Sequence, residues 1–489
     1  MTAARTSSTP ATAAVGSGAT VAQASPGRHR MMLPILLIGQ AMAAMDTSID
    51  NVAAPVIRQE LGISGALLQI VIAGYVLAYA VLLVTGARLG DDYGYRRLFV
   101  GGVALFTAAS LACGIAPETA TLIVARIAQG IGAALMVPQV LSLIQRQFDG
   151  AERARAVGYY SMILALGVTV GQLLGGVIVT VDILGLSWRP AFLINVPLGL
   201  LLLFYSGSVL PEMRGTTKRK LDVAGVIALS LSMLLVVVPL TFGREVDWQA
   251  WTWLSLGFGV VGLVVFVLIE KAVSRRGGTP LLDFGAVLAP GVKAGLLVVF
   301  IGFAGYGGFL FAMALYVQSG LGFSPIGSGL VFTAYAAGFG TSNLLWSKLP
   351  APILRWTPTA ALVAMAAADI AFGLAAVRWQ WMPAVMLPLM LIAGSGHGFS
   401  FGPVVNRMAA RVPPASAPAL SGLVTTAVQL SIVIGIATLG TLYLATAKAG
   451  ATAPASVGIS HVVFAIAAAA AVAVACSVQL ATARRPSST

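Results

Sequence analysis

The sequence predicts an all-α polytopic membrane protein: two six-helix bundles plus two additional central helices, fourteen transmembrane helices in all. Composition is the first observation behind this. Of 489 residues, 58% are hydrophobic and only 9% charged, whereas a soluble domain carries about 25% charged residues. The second is length. Cutting at the charged and Pro/Gly-rich breaks leaves fourteen apolar stretches, each near the ~20 residues that cross a hydrocarbon core. The third is the placing of the bases. With the N-terminal tail inside, 23 of the 29 Lys and Arg fall on its side. Arg58, Arg189, Arg244, Arg378 and Lys448 fall on the other, and Arg126 lies within a span. That asymmetry places both termini in the cytoplasm. It also explains the net charge of +13 without the nucleic-acid partner that a basic soluble chain would suggest.

In chain order, residues 1–30 are Ala/Thr/Ser-rich, carry Arg5, Arg28 and Arg30, and read as a disordered cytoplasmic tail with no cleavable signal peptide. The first bundle, 31–210, holds spans near 31–55, 66–88, 98–117, 120–146, 155–181 and 189–210. The segment 211–290 is a linker with two extra spans, 222–242 and 250–272, bracketed by the longest hydrophilic breaks, 211–221 and 273–290. The second bundle, 291–481, holds spans near 291–318, 325–347, 356–377, 381–406, 416–446 and 459–481, before a cytoplasmic tail at 482–489. Two related bundles around a midplane site is how many secondary transporters are built. The two cysteines, Cys113 and Cys476, lie far apart in apolar spans and read as small buried hydrophobes.

Three acids fall inside spans, Asp46, Asp50 and Asp369, together with one base, Arg126, and one mid-span histidine, His397. A charge at membrane depth is costly, so each is a candidate for function. Asp46 and Asp50 are four residues apart and share a helical face. A buried carboxyl poised between a like charge and a guanidinium can load and release a proton; the alternative is a fixed salt bridge with Arg126. Asp50 lies a turn nearer the outer surface, either hydrated there or part of the same site. Arg126 does not titrate and makes a neighbouring carboxylate tolerable in lipid. His397, in AGSGHGFSFGP, sits where three glycines bring backbone close to a ligand. It reads as a second proton site or a substrate-binding donor, or else as a histidine bonded to a neighbouring helix. Asp369, among alanines, fits a structural hydrogen bond. Gly167, Gly171 and Gly175, with Gly176 adjacent, form a stripe for close helix packing, the surface that two bundles opening and closing against each other would also need.

These stretches together resemble the fourteen-helix drug:proton antiporters of the major facilitator superfamily, over nearly all of 31–481. MDTSIDNVAAP is similar to that family's first-helix motif, with Asp46, Ser48, Asn51 and Pro55 in place. GARLGDDYGYRR is similar to the loop between the second and third helices, RIAQGIGAA to the fourth-helix motif, and GVTVGQLLGG to the fifth-helix antiporter motif. WRPAFLINVPLG, LYVQSGLGFSP and SGLVTTAVQL resemble further stretches. The chain departs from the pattern at Gln172, where proline is usual, at Asp92 and Tyr95, where bases are usual, and at Asp50, where an aliphatic residue is usual. The last departure adds a negative group near the pathway and favours cationic substrates.

The resemblance implies a proton-coupled exporter of small amphipathic compounds, working by alternating access, in the plasma (inner) membrane and as a monomer. Asp46, Asp50 and Arg126 would couple protons, and Asp46, Asp50 and His397 would meet substrate. Gly86, Gly90, Asp91, Gly94, Arg96 and Arg97 would form the cytoplasmic gate, with Asp91 at a helix N-terminus and the two arginines clamping the closed inner face. Otherwise Arg88, Arg96 and Arg97 are topogenic charges only. A proton symporter for nutrient uptake is the alternative. An ATP-driven pump or an enzyme is disfavoured, because the chain has no G-x-x-x-x-G-K-[ST] stretch and no metal-ligand cluster among its three histidines. No cofactor is expected beyond the proton gradient.

Overall fold

A computed structural model of the chain describes residues 26–214, 222–276, 278, 291–378, 383–412, 417–447 and 455–482. Residues 1–25 and 483–489 of the expected tails, most of both hydrophilic breaks and Lys448 lie outside the described residues, whereas Pro26–Arg30, expected in the disordered tail, form the first turns of α1. The helices begin and end where the local chemistry dictates. α1 (Pro26–Leu61) stops before Gly62, which takes a positive φ, and Ser64 then caps α2 (Gly65–Tyr93) by accepting a hydrogen bond from the Leu67 amide at 3.2 Å. Gly94, at φ 103°, turns the chain directly into α3 (Tyr95–Gly114). α4 (Thr119–Gln147) and α5 (Gly150–Val181) follow, then a short α6 (Pro190–Leu193) running on into α7 (Asn195–Val209). The central pair is α8 (Val223–Phe242), capped by Asp222, and α9 (Ala250–Arg275). The second half holds α10 (Val292–Leu315), α11 (Pro325–Leu345), α12 (Ala351–Arg378), α13 (Pro383–Ala409), α14 (Ala417–Gly435), α15 (Thr441–Ala447) and α16 (Ala455–Thr482).

With α6 and α7 taken as one span and α14 and α15 as another, these described helices stand at the fourteen predicted positions. Twelve are long and apolar enough to cross a membrane by length and composition. α11 falls short because Gly, Ser, Thr and Asn dilute its apolar character. Single π turns, Tyr316–Gly320 and Ile436–Gly440, extend α10 and interrupt the α14–α15 span.

The two halves repeat one packing scheme. In the first, α1 packs on α5, α2 on α4, α3 on α4 and α3 on α7; in the second, α10 packs on α14, α11 on α13, α12 on α13 and α12 on α16. Helix backbones approach closely at small residues. A Cβ at Gly86 would stand 1.9 Å from the Ala134 carbonyl oxygen, and one at Gly338 2.2 Å from that of Leu391. Between the halves the pairing is also reciprocal: α2 meets α14 and α5 meets α11.

The hydrogen bonds described between the halves lie toward the end that carries the α1–α2 turn. Gln318 Nε2 donates to the Val52 carbonyl (2.8 Å), Gln69 Nε2 to the Ile436 carbonyl (3.1 Å), and the Ile326 amide to Thr180 Oγ1 (2.9 Å). The molecule is closed at that end. The α8–α9 hairpin packs on α2 and on the Ile436–Gly440 turn, and much of the outer face of α9 is exposed and apolar, as a lipid-facing helix requires. Its connecting turn touches both halves. Glu245 accepts from the Ala66 amide at the start of α2 (3.2 Å), while Arg244 Nη1 donates to the Leu444 carbonyl of α15 (3.1 Å).

Candidate functional site

The charges predicted to lie in the membrane assemble into one cluster in the first half. Asp46 and Asp50, one turn apart on α1, both reach Arg126 of α4. Arg126 Nη1 donates to Asp46 Oδ2 at 2.5 Å and Nη2 donates to Asp50 Oδ2. All three side chains are fully buried. Asp50 is therefore sealed from solvent, and of its two expected positions the hydrated one does not occur. The shell around them is polar and complete on one side. Gln129 Nε2 donates to Asp46 Oδ1 (3.1 Å) and to Ser110 Oγ (2.8 Å), while its Oε1 accepts from Arg126 Nη1 (2.9 Å). Asn195 Nδ2 donates to Asp46 Oδ1 (3.1 Å), and Arg126 Nε to the Val71 carbonyl (3.3 Å). The guanidinium carbon stands 4.5 Å from the centre of the Tyr75 ring and 5.5 Å from that of Phe192. Asp50 Oδ1 alone among the carboxylate oxygens here has no partner.

Two acids against one base leave a formal charge of −1 in a site without water-accessible surface. Burial of unbalanced charge is costly, and one proton taken up by the carboxyl pair cancels it. Ser110, Gln129 and Asn195 were not singled out from sequence as neighbours of Asp46. Gln129 and Asn195 lie within matched motif stretches, but only the packing of α3, α4 and α7 on α1 brings them together.

A cavity of about 430 Å³ lies between the halves, within the range of small-molecule sites. Its first-half wall includes Gln40, Thr47, Asn51, Tyr79 and Tyr160; its second-half wall includes Phe303, Tyr306, Tyr335, Phe339, His397 and Phe401. Of the three residues expected to meet substrate, His397 lines this cavity, while Asp46 and Asp50 face Arg126 and do not. The negative group at Asp50 that favoured cationic substrates is thus paired and set apart from the cavity wall. His397 Nδ1 shares a 2.8 Å hydrogen bond with the Tyr335 hydroxyl, and its Nε2 has no partner. Asp369 is buried away from the cavity, with Oδ2 unpartnered.

The predicted gate residues hold the α2–α3 turn to its own half. Cβ atoms at Gly86 and Gly90 would collide with Ala134 and Gln139 of α4. Asp91 lies in the last turn of α2 rather than at a helix N-terminus, as the range of α2 requires. There its carboxylate accepts from the Tyr95 hydroxyl and faces Arg146 at 3.6 Å, which offsets the unfavourable helix end. Arg96 pairs with Glu212 at 2.5 Å, and Arg97 is exposed. The glycine stripe divides by target. Gly167, Gly171 and Gly175 pack on Ala44, Met45 and Ile49 of α1, within the first half; Gly176 alone meets the second half, at Pro325. Gly329 of α11 returns the contact on Gln172, so the α5–α11 contact between the halves uses a reciprocal glycine pair and not the full stripe.

Comparison with known proteins agrees with this architecture. Residues 36–436 match the family model described as Major Facilitator Superfamily. A probable actinorhodin transporter of Streptomyces coelicolor is 35% identical over 444 residues, covering 89% of this chain and 76% of that protein. A cephamycin export protein of Amycolatopsis lactamdurans is 32% identical, covering 82% of each chain, and a puromycin resistance protein of Streptomyces alboniger is 32% identical, covering 86% and 82%. Among solved structures, a bacterial homolog of the human lysosomal transporter Spinster has the same fold, with TM-score 0.68 at 18% identity, covering 95% of this chain and 100% of that one.

Proposed function

The chain belongs to the major facilitator superfamily, and on that premise we propose that it is a proton-driven antiporter exporting small amphipathic compounds from the cytoplasm. Relatives named for actinorhodin transport, cephamycin export and puromycin resistance support export of antibiotic-like molecules. The observation that carries proton coupling is the buried Asp46–Asp50–Arg126 cluster, whose surplus negative charge a single proton removes. The asymmetry of the bases orients the α2–α3 turn toward the cytoplasm. The end closed in this structure is then the outer one, the state suited to loading from inside.

In the cycle, a compound enters the cavity between the halves while the carboxyl pair is unprotonated. Rocking of the halves about the α5–α11 and α2–α14 contacts exposes the cavity outward. A proton from outside neutralises the pair and permits return, and its release inward resets the site. A membrane potential of ~100 mV contributes ~2.3 kcal/mol per charge moved, and one pH unit about 1.4 kcal/mol. Together these support a concentration ratio of several hundred-fold for one proton.

Everted vesicles carrying the wild type, Asp46→Asn or Asp50→Asn test this. Substrate addition to wild-type vesicles should release stored protons, and each variant should lose most of that flux. Proton movement at wild-type rate in both variants would remove the pair from the mechanism. Accumulation of substrate in cells driven by the gradient, lost on its collapse, would mark an importer instead.

A further inference from the structure

We infer that the cavity selects uncharged, flat aromatic molecules bearing a carbonyl or phenolic hydroxyl, and that His397 Nε2 is the atom that reads this polar group. The inference deepens the export reading above and rests on it for the cavity's role. Charge is the first ground. Among the described residues no Asp, Glu, Lys or Arg lines the cavity. The carboxylates nearest in sequence to the lining residues of α1 are paired with Arg126. An ion entering this space would surrender its hydration and find no counter-charge.

Shape and surface chemistry are the second ground. The His397 ring is enclosed by Phe303, Phe339 and Tyr306, with centroids 4.6, 5.1 and 5.7 Å away, and Phe303 meets Phe401 edge-on at 5.0 Å. Edges and faces of rings thus alternate on this wall. A further aromatic ring continues such a pattern by stacking or T-shaped contact, whereas an aliphatic chain gains only its area. The third ground is a polar atom without a partner. The Tyr335 hydroxyl holds His397 Nδ1 and so fixes the imidazole. Nε2 is left unpaired on a residue only 2% exposed. An unpaired buried polar atom is destabilising, and a ligand oxygen relieves it. Gly302 lies against this atom: a methyl there would stand 3.4 Å from Nε2, in ordinary contact, and would cover it further.

Equilibrium binding to the purified full chain in lipid nanodiscs, with no proton gradient, tests this apart from coupling. The probes are a neutral dihydroxyanthraquinone, the aromatic cation tetraphenylphosphonium, and a neutral alkyl glucoside of similar volume. The quinone should bind wild type at least tenfold more tightly than either other probe. His397→Phe, which keeps a ring and removes the polar atom, should weaken quinone binding about three- to tenfold, the worth of one neutral hydrogen bond. Gly302→Ala should weaken it similarly, and it supplies the answer where the Phe variant fails to fold. Preference for tetraphenylphosphonium, or unchanged quinone binding in a folded His397→Phe or Gly302→Ala protein, would overturn the inference. Failure of proton coupling in vesicles with this binding pattern intact would sink only the antiport reading.

Discussion

The two halves repeat one helix-packing scheme yet spend their buried polar groups differently. In the first half they form a closed ionic cluster, Asp46, Asp50 and Arg126, wrapped by Gln129, Asn195 and Tyr75 behind the cavity wall. In the second half the main polar feature at the cavity is neutral, a Tyr335–His397 bond inside an aromatic box. The contrast teaches a division of labour within a duplicated frame. For the proposed antiporter, the ionic half suits proton uptake, and the uncharged half suits recognition of a neutral compound. In the proposed cycle, placing the two on opposite halves lets the rocking motion connect them without direct contact.

Breaking the ionic half should cost most. Arg126→Leu leaves two buried carboxylates without a counter-ion, a change worth about 3–5 kcal/mol; it should lower the thermal midpoint of the detergent-purified protein sharply and abolish export. An equal loss from Tyr335→Phe would erase the distinction between the halves. Asp50→Asn ranks next. Arg126 keeps Asp46, so the fold should persist, but the surplus charge is gone, and substrate-driven proton flux should fall at least tenfold while binding of compound in the absence of a gradient stays close to wild type. Retained flux would move the proton site elsewhere.

Tyr335→Phe should act on the opposite wall. It frees the imidazole to turn, at a cost of about 1 kcal/mol for the lost neutral hydrogen bond, and should change relative affinities among aromatic compounds with little change in proton flux at saturation. Ser110→Ala is the smallest test. It removes one bond from Gln129, 2.8 Å long, also worth about 1 kcal/mol. A modest fall in the thermal midpoint with an unchanged compound profile would place Ser110 in support of the ionic cluster.

The sequence made the frame legible for a clear reason: apolar run length and base asymmetry act over whole segments, so they survive errors at any one residue. The Asp46–Arg126 pairing was legible too, because Arg126 is the sole base inside a span. Other features depend on how helices far apart in sequence rotate against one another. Asp50 read as a group near the pathway, yet its helix turn aims it at Arg126. Phe303, Tyr306, Tyr335 and Phe339 were unremarkable in strings of apolar residues, and only the packing of α10, α11 and α13 gathers them on His397. The glycine stripe was visible, but its partner was not: spacing says that a flat face exists and is silent on which helix covers it. Arg244 reads from sequence only as an outer-side base for the same reason.

Arg244 and Glu245, neighbours on the α8–α9 turn, have a mechanical consequence. One grips the start of α2 and the other a carbonyl of α15, so the central hairpin acts as a cross-brace over the shut face rather than as slack between two bodies. In the proposed cycle, each turnover lets go of at least one grip before that face parts, and regains it on the way back. On that proposal, cycling speed would be adjustable from the molecule's periphery, by substitutions at Arg244 or Glu245, which lie outside both the ionic cluster and the cavity lining.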